Sequence, residues 1–250
     1  MKHFLPHFIQ ENYRAGNYKG RLHAYTMFVD LSGFTRLTEK LMSEGSEGAE
    51  ELSRILNHIF QPTVTLVYRQ GGFIPYFAGD SFTAIFPILT GAAGGGGKHA
   101  SAAGPGNGQG NAFSAHPEGA LRVLEAAQAT LHRFMQENAD GESLMSEHNI
   151  GIKIGISEGE VEWGIVGNSR KGYYFRGEPI EGCSQAQVRA CSLEVVSDTC
   201  FLKFVPPEYI GSKNLGDGFF KLDLDSIPKT EAAEHQPETD DHKTLLPSPD

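Results

Sequence analysis

Residues 24–30 read AYTMFVD, a short apolar run rich in strand formers that stops at an aspartate, and residues 31–45 read LSGFTRLTEKLMSEG, a glycine-containing turn that opens into a helical pattern. Downstream, GGFIPYFAGDSFTAIFP at 71–87 reads as two strands around Gly79-Asp80, a two-residue turn of the kind that closes hairpins. Between them Leu52, Ile55, Leu56, Ile59, Phe60 and Val64 recur at helical spacing over 47–69, and Pro62 is expected to kink or divide that helix. Residues 118–138 place Leu121, Leu124, Ala127, Leu131 and Phe134 on one helical face. Residues 150–157 and 160–167 alternate in the strand manner and are expected to pair as a hairpin through Glu158-Gly159. A helix over 177–190, a strand at LEVVS and a final strand in FFKLDLDS complete the reading. Long crossovers mixed with hairpins predict an α/β fold, an α+β sandwich on a partly antiparallel sheet in the split βαβ style.

Composition narrows the function. The 250 residues carry 21 Lys+Arg against 31 Asp+Glu, a formal charge of −10, and 39% are hydrophobic, which suits a globular chain able to bury a core. An acidic chain lacks the clustered cations that a nucleic-acid backbone requires, so nucleic acid is not an expected partner. Cys183, Cys191 and Cys200 form no CxxC and are too few for a disulfide framework, which points to a reducing, cytoplasmic setting. The start, MKHFLPHFIQEN, is not a signal peptide, and no run approaches the length of a membrane span. The ten histidines show no ligand-like spacing.

One domain is expected over 1–228, with a flexible glycine-rich insertion at about 91–116 and an acidic tail or linker at 229–250. The insertion contains GGGGKH, which fails as a phosphate-binding P-loop: Ala92 stands where its first glycine belongs and His99 where Ser or Thr belongs. The tail has six acids and two bases, so it carries −4 of the charge and leaves −6 on the rest.

The candidate chemistry lies in Asp30 and Asp80. A strand-end aspartate can simply cap the next helix, and Gly-Asp is a common turn pair. Yet both end apolar strands, and neighbouring strands of one sheet would bring two carboxylates to the same rim. Hard divalent cations need such oxygen ligands, completed by phosphate oxygens. The LSGFT segment after Asp30 would offer backbone N–H groups to those phosphates at a helix N-terminus. Two ions held in this way would clamp an in-line phosphoryl transfer.

At these residues the sequence resembles the class III nucleotidyl cyclases. FVDLSGFTRLTE and YFAGDSFTAIF are similar to that family's two metal-binding segments, and IKIGISEGEVEWGIVGNSRKGYYFRGEPIEGCSQAQ to its later hairpin and dimer-arm segment. The resemblance runs from about Ala24 to Cys200 and is strongest to the first of the two tandem domains of soluble adenylyl cyclases. It implies a ferredoxin-like βαββαβ core with a mostly antiparallel sheet and active sites at a head-to-tail dimer interface. It further implies that Asp30 and Asp80 are catalytic and hold two Mg²⁺ or Mn²⁺ ions with the Leu31 carbonyl. The amides of Ser32, Gly33, Phe34 and Thr35 would bind the β- and γ-phosphates of a nucleoside triphosphate, and the product would be a 3′,5′-cyclic nucleotide plus pyrophosphate.

The match breaks on the partner-facing half. The family's adenine-reading Lys aligns with Tyr76 and its Asp with Tyr174; the Asn and Arg that serve the transition state align with Glu181 and Gln185. Gln in place of Arg removes a cation from the transferring phosphoryl group, and Glu in place of Asn sets negative charge near phosphates. The expectation is a metal-donating half, inactive as a homodimer and needing a second cyclase domain, with ATP favoured over GTP. The opposite pocket, lined in part by Tyr76 and Tyr174, would by this resemblance be a regulatory pocket, whose equivalent in soluble adenylyl cyclases binds bicarbonate. Here the Lys is missing and that subfamily's Arg aligns with Ser184. Two other readings stay open: a non-catalytic cyclase-like module that binds nucleotide or a partner, and a metal-dependent phosphohydrolase, which lacks the usual His ligands.

Overall fold

In the computed structural model, which describes residues 5–43, 45–88, 117–139, 150–168, 170–225 and 227, one long strand organises everything else. That strand, β1 (Lys19–Ser32), pairs antiparallel along its whole length with β4 (Gly151–Val166), from Lys19 opposite Gly164 to Ser32 opposite Gly151. Its other edge pairs antiparallel with β3 (Ser81–Pro87), which is joined to β2 (Phe73–Ala78) by the Gly79-Asp80 turn. The turn needs a left-handed residue, and Gly79 supplies it at φ +64°. The spatial order β2-β3-β1-β4 is that of a ferredoxin-like βαββαβ unit.

The remaining strands extend this sheet. β5 (Gly172–Arg176) folds back on the far end of β4, and β6 (Glu194–Asp198) lies parallel to β4. β7 (Ile210–Gly216) and β8 (Phe219–Leu222) finish the sheet beyond β6. Among the described strand pairs β4–β6 alone is parallel.

Alternation along β1 sorts side chains onto two faces. Tyr25, Met27, Val29 and Leu31 point to one face and are buried there beneath α2 (Phe34–Ser43), α3 (Ser46–Arg69) and α4 (Pro117–Ala139). Those helices contribute Phe34, Leu37 and Leu41, then Ile55, Ile59 and Phe60, then Leu124 and Ala127, each set at helical spacing. The other face carries Thr26, Phe28 and Asp30 and is crossed by α5 (Glu178–Arg189). Its far end is covered by a short helix, α1 (His7–Arg14), whose Phe8 stacks on Phe73 at 5.1 Å and meets Trp163 edge-on at 5.2 Å. A last short helix, α6 (Thr199–Leu202), is capped by Asp198.

Two expectations are corrected. Residues 150–167 do not form a hairpin: Glu158 and Gly159 sit inside β4, opposite Tyr25 and Ala24, because the continuous ladder to β1 outweighs a locally turn-like pair. Pro62 does not divide α3, which runs unbroken from Ser46 to Arg69 with Ile55, Ile59 and Val67 buried on both sides of it. The helix and strand readings at 34–43, 118–138, 178–189, 194–197 and 219–222 agree with the observed elements, whereas α1, β5, α6 and β7 were not read. The glycine-rich insertion at 91–116 and the acidic tail at 229–250 lie outside the described residues.

Helix α5 lies so close to the sheet that its approach depends on one residue. A Cβ at Gly155 would run into the Cys183 carbonyl and the Gln187 amide. The Gly155→Ala substitution is therefore expected to lower unfolding free energy by about 1–3 kcal/mol, the usual range for overpacking. Urea denaturation followed by Trp163 fluorescence checks it; an unchanged midpoint would contradict this packing.

Candidate functional site

Asp30 is the third residue from the end of β1, half-buried and directly opposite Ser81. Asp80 precedes Ser81 in the hairpin turn, and its backbone carbonyl accepts a 3.2 Å hydrogen bond from the Leu31 amide. That bond ties the turn to the end of β1 and brings the two carboxylates to one rim. Burial, then the nearby Asp80 charge, push the Asp30 pKa above the ordinary carboxylate range; Lys153 and a hydrogen bond from Gln187 oppose the shift. The two acids thus repel each other across a half-buried space, an arrangement that a divalent cation would relieve.

The oxygen-only donor set fits Mg²⁺ or Mn²⁺ better than a metal that prefers nitrogen or sulfur. Among the described residues there is no group of three or more His, Cys, Asp or Glu side chains placed to hold a metal. An ion here would complete its shell with backbone carbonyl, water and substrate oxygens, as hard cations commonly do.

The phosphate-binding candidates follow at once. Ser32 ends β1, Gly33 turns with φ +83°, and Phe34 and Thr35 begin α2. Phe34 is buried and anchors the helix start, while Gly33 and Thr35 are exposed. The first amides of α2 have no partner within the helix and lie two to four residues from Asp30 along the chain, so anion-binding groups and carboxylates share one end of the sheet.

The partner-side candidates are distributed differently. Tyr76 lies on the face of the sheet that carries α5, opposite Thr83, and is 42% exposed. Burial of part of its ring raises its hydroxyl pKa, and a hydrogen bond with Thr83 opposes that. Glu181 and Gln185 are one helical turn apart on the outer, exposed side of α5, together with Val188. Tyr174 is not brought to Tyr76. It pairs with Gly164 on the opposite face of the β4–β5 ribbon, where its hydroxyl donates to Glu162 Oε1 at 3.1 Å beside Arg176. The neighbouring Tyr173 points the other way instead and donates to the Pro75 carbonyl at 2.6 Å, next to Tyr76. Ser184 is half-buried on α5.

Two residues that the sequence reading passed over belong to this site. Lys153 stands opposite Asp30 on β4 and Glu194 opposite Lys153 on β6; Glu194 in turn binds Lys221 at 2.9 Å. Charges therefore alternate in sign across the sheet away from Asp30. The second is Gln187, 7% exposed, whose Nε2 donates to Asp30 Oδ2 at 2.7 Å. A polar residue among Cys183, Ala186 and Ala190 on the inner stripe of α5 was the available signal.

The family profile described as the adenylate and guanylate cyclase catalytic domain matches residues 21–199. Adenylate cyclase type 10 of Mus musculus is 26% identical over 179 residues, 70% of this chain and 9% of that protein. The Homo sapiens counterpart is 45% identical over 64 residues, 25% of this chain and 4% of that protein. The chain thus spans less than a tenth of the length of these relatives. Among solved structures, the adenylyl cyclase CyaB from P. aeruginosa superposes with a TM-score of 0.56 at 18% identity, covering 82% of this chain and 95% of that one. A bacterial light-regulated adenylyl cyclase gives 0.63 at 15% identity, over 88% of this chain and 58% of that one. A class III adenylyl cyclase-like ATP-binding protein from Pseudomonas aeruginosa gives 0.57 at 15% identity, over 76% and 36%. At such identities the superpositions speak for the fold alone.

Proposed function

Because the chain belongs to the adenylate and guanylate cyclase catalytic domain family, we propose that it is the metal-donating half of a nucleotidyl cyclase that converts ATP, in preference to GTP, to a 3′,5′-cyclic nucleotide and pyrophosphate. The observation that carries this reading is the Asp30–Asp80 pair at one rim, next to the first amides of α2. Asp30 and Asp80 hold two Mg²⁺ or Mn²⁺ ions with the Leu31 carbonyl, and when bound these supply activation of the ribose 3′-oxygen and neutralise charge on the leaving pyrophosphate. The amides of Ser32, Gly33, Phe34 and Thr35 bind the β- and γ-phosphates. Phe34, buried beneath the helices, keeps that amide set in place. The preference for ATP rests on the likeness to adenylate cyclase type 10.

The second half of the site comes from another cyclase domain in this reading. The outer side of α5 presents Glu181 and Gln185 where a cation is needed, and Tyr76 stands where a base-reading Lys is expected. At these positions a homodimer would therefore offer no positive charge to the transferring phosphoryl group. The same observation favours a second reading, a non-catalytic domain that binds nucleotide or a partner.

Calorimetric titration tests the metal–nucleotide site in either reading. Mn²⁺ with 3′-deoxy-ATP, which lacks the attacking hydroxyl, is expected to bind the chain, and Asp80→Asn to weaken that binding by more than about tenfold. Equal affinity in the variant would remove Asp80 from the site.

A further inference from the structure

We propose that Gln187 is the positioning residue of this metal site, orienting the Asp30 carboxylate so that one oxygen stays available to a cation. The proposal rests on the metal-site reading above and goes beyond it, because Gln187 belongs to α5, a separate element from the strands that carry the two acids.

The geometry is specific. Gln187 is 7% exposed and has a carboxamide that would be costly to bury without partners. Its Nε2 donates to Asp30 Oδ2 at 2.7 Å, across 157 residues of sequence. The bond occupies one oxygen on the α5 side and leaves Oδ1 for a cation. Helix α5 cannot drift away from this contact. Gly155 lets the Cys183 and Gln187 backbone press against β4, and Thr26 Oγ1 on β1 donates to the Pro179 carbonyl at 2.7 Å, pinning the start of the helix to the same strand that carries Asp30. The donor and the carboxylate are thus held by one rigid strand–helix unit.

The residue type matters as much as the place. Glu at 187 would bring a third negative charge to two acids that already repel each other. Lys would place a competing positive charge where a cation belongs. Gln has the length to reach, donates a proton to the carboxylate and adds no charge. Hydrogen-bond donors behind a metal-ligating carboxylate commonly govern affinity by about 10–100-fold.

The test uses the full chain and Mn²⁺ with 3′-deoxy-ATP, followed by calorimetry and by the Mn²⁺ electron-paramagnetic-resonance signal. Gln187→Met keeps length and volume but donates nothing; it is expected to weaken Mn²⁺ binding about tenfold while the nucleotide's metal-free affinity stays the same. A merely structural role would lower the melting temperature and leave the affinity of the folded chain intact, and that result overturns the proposal. Should Gln187→Met not fold, the wild-type chain still decides by NMR. The Gln187 side-chain amide resonance is expected to shift when Mg²⁺ and 3′-deoxy-ATP are added, and an unmoved resonance overturns the proposal. If the wild-type chain binds no Mn²⁺–nucleotide, the metal-site reading and this proposal fall together. If Asp80→Asn loses binding but Gln187→Met binds as wild type, the proposal alone falls.

Discussion

Asp30→Asn is expected to make the chain more heat-stable without metal and to abolish its response to metal, a reversal of the usual effect of mutating a half-buried charged residue. The Asp30 pKa is raised by burial and by Asp80. A carboxyl with a raised folded-state pKa binds more protons folded than unfolded, so stability falls as pH climbs from about 4 through the folded value. Above that window the ionised Asp30 is a standing cost, and Asn removes it while retaining an acceptor oxygen. The wild-type chain should therefore lose stability as pH rises above about 4, and the variant should show a flatter profile. A cation offsets the same cost. At a hundredfold excess over Kd it adds about 2.7 kcal/mol, or roughly 5–10 °C in melting temperature for a chain of this size. Wild type should show that rise with Mn²⁺ and 3′-deoxy-ATP, and Asp30→Asn should show none. In a complete composite site the same substitution should cut turnover by more than about a hundredfold, since on the proposed reading it removes an ion ligand. Differential scanning calorimetry across pH, with and without Mn²⁺, reads the stability effects. A variant less stable than wild type at neutral pH and equally responsive to Mn²⁺ would refute the account of Asp30.

Much of this was legible in sequence because it is local. AYTMFVD stops at Asp30 and FAGD turns at Gly79-Asp80, so β1, β2 and β3 could be read from short-range pattern. What was misread depends on long-range pairing. Glu158-Gly159 has the look of a turn until β1 lies beside it and pairs straight through. Helix α1 is only eight residues long, and its Phe8 and Ile9 acquire a partner only when Phe73, Trp163 and Phe175 assemble beneath them. Strand β7, IGSKNLG, has the composition of a loop and is a strand through pairing with β8.

The site divides in the same way. Asp30, Asp80 and the residues from Ser32 to Thr35 stand out through motif spacing. Lys153 and Gln187 come to Asp30 from β4 and α5, and nothing adjacent in sequence announces them. Tyr174 shows the opposite limit. The resemblance groups it with Tyr76, but strand alternation sends Tyr173 to that side and Tyr174 to the other.

The second large effect concerns the missing half. On the exposed side of α5, Glu181 and Gln185 offer no positive charge, and Tyr76 offers none from β2. Loss of one preorganised group at a developing charge commonly costs about 10²–10³ in rate, and Gln185 and Tyr76 occupy the aligned positions of the cation and the base-reading Lys. Two identical chains would therefore build two sites that each hold ions but do not stabilise the transferring phosphoryl group. A partner domain that supplies Lys, Asp, Asn and Arg at the four aligned positions would complete one of them.

Cyclic nucleotide formation by mixed domains tests the central claim most directly. The chain would be assayed with Mn²⁺ and ATP alone, and then with a class III cyclase domain that keeps those four residues but has Asn for both of its own metal aspartates. Product would be measured by mass spectrometry. The account predicts no product from either domain alone, at least about a hundredfold more from the mixture, and loss of that gain with Asp30→Asn. Turnover by this chain alone that is lost with Asp30→Asn, or a mixture no more active than its parts, would contradict it.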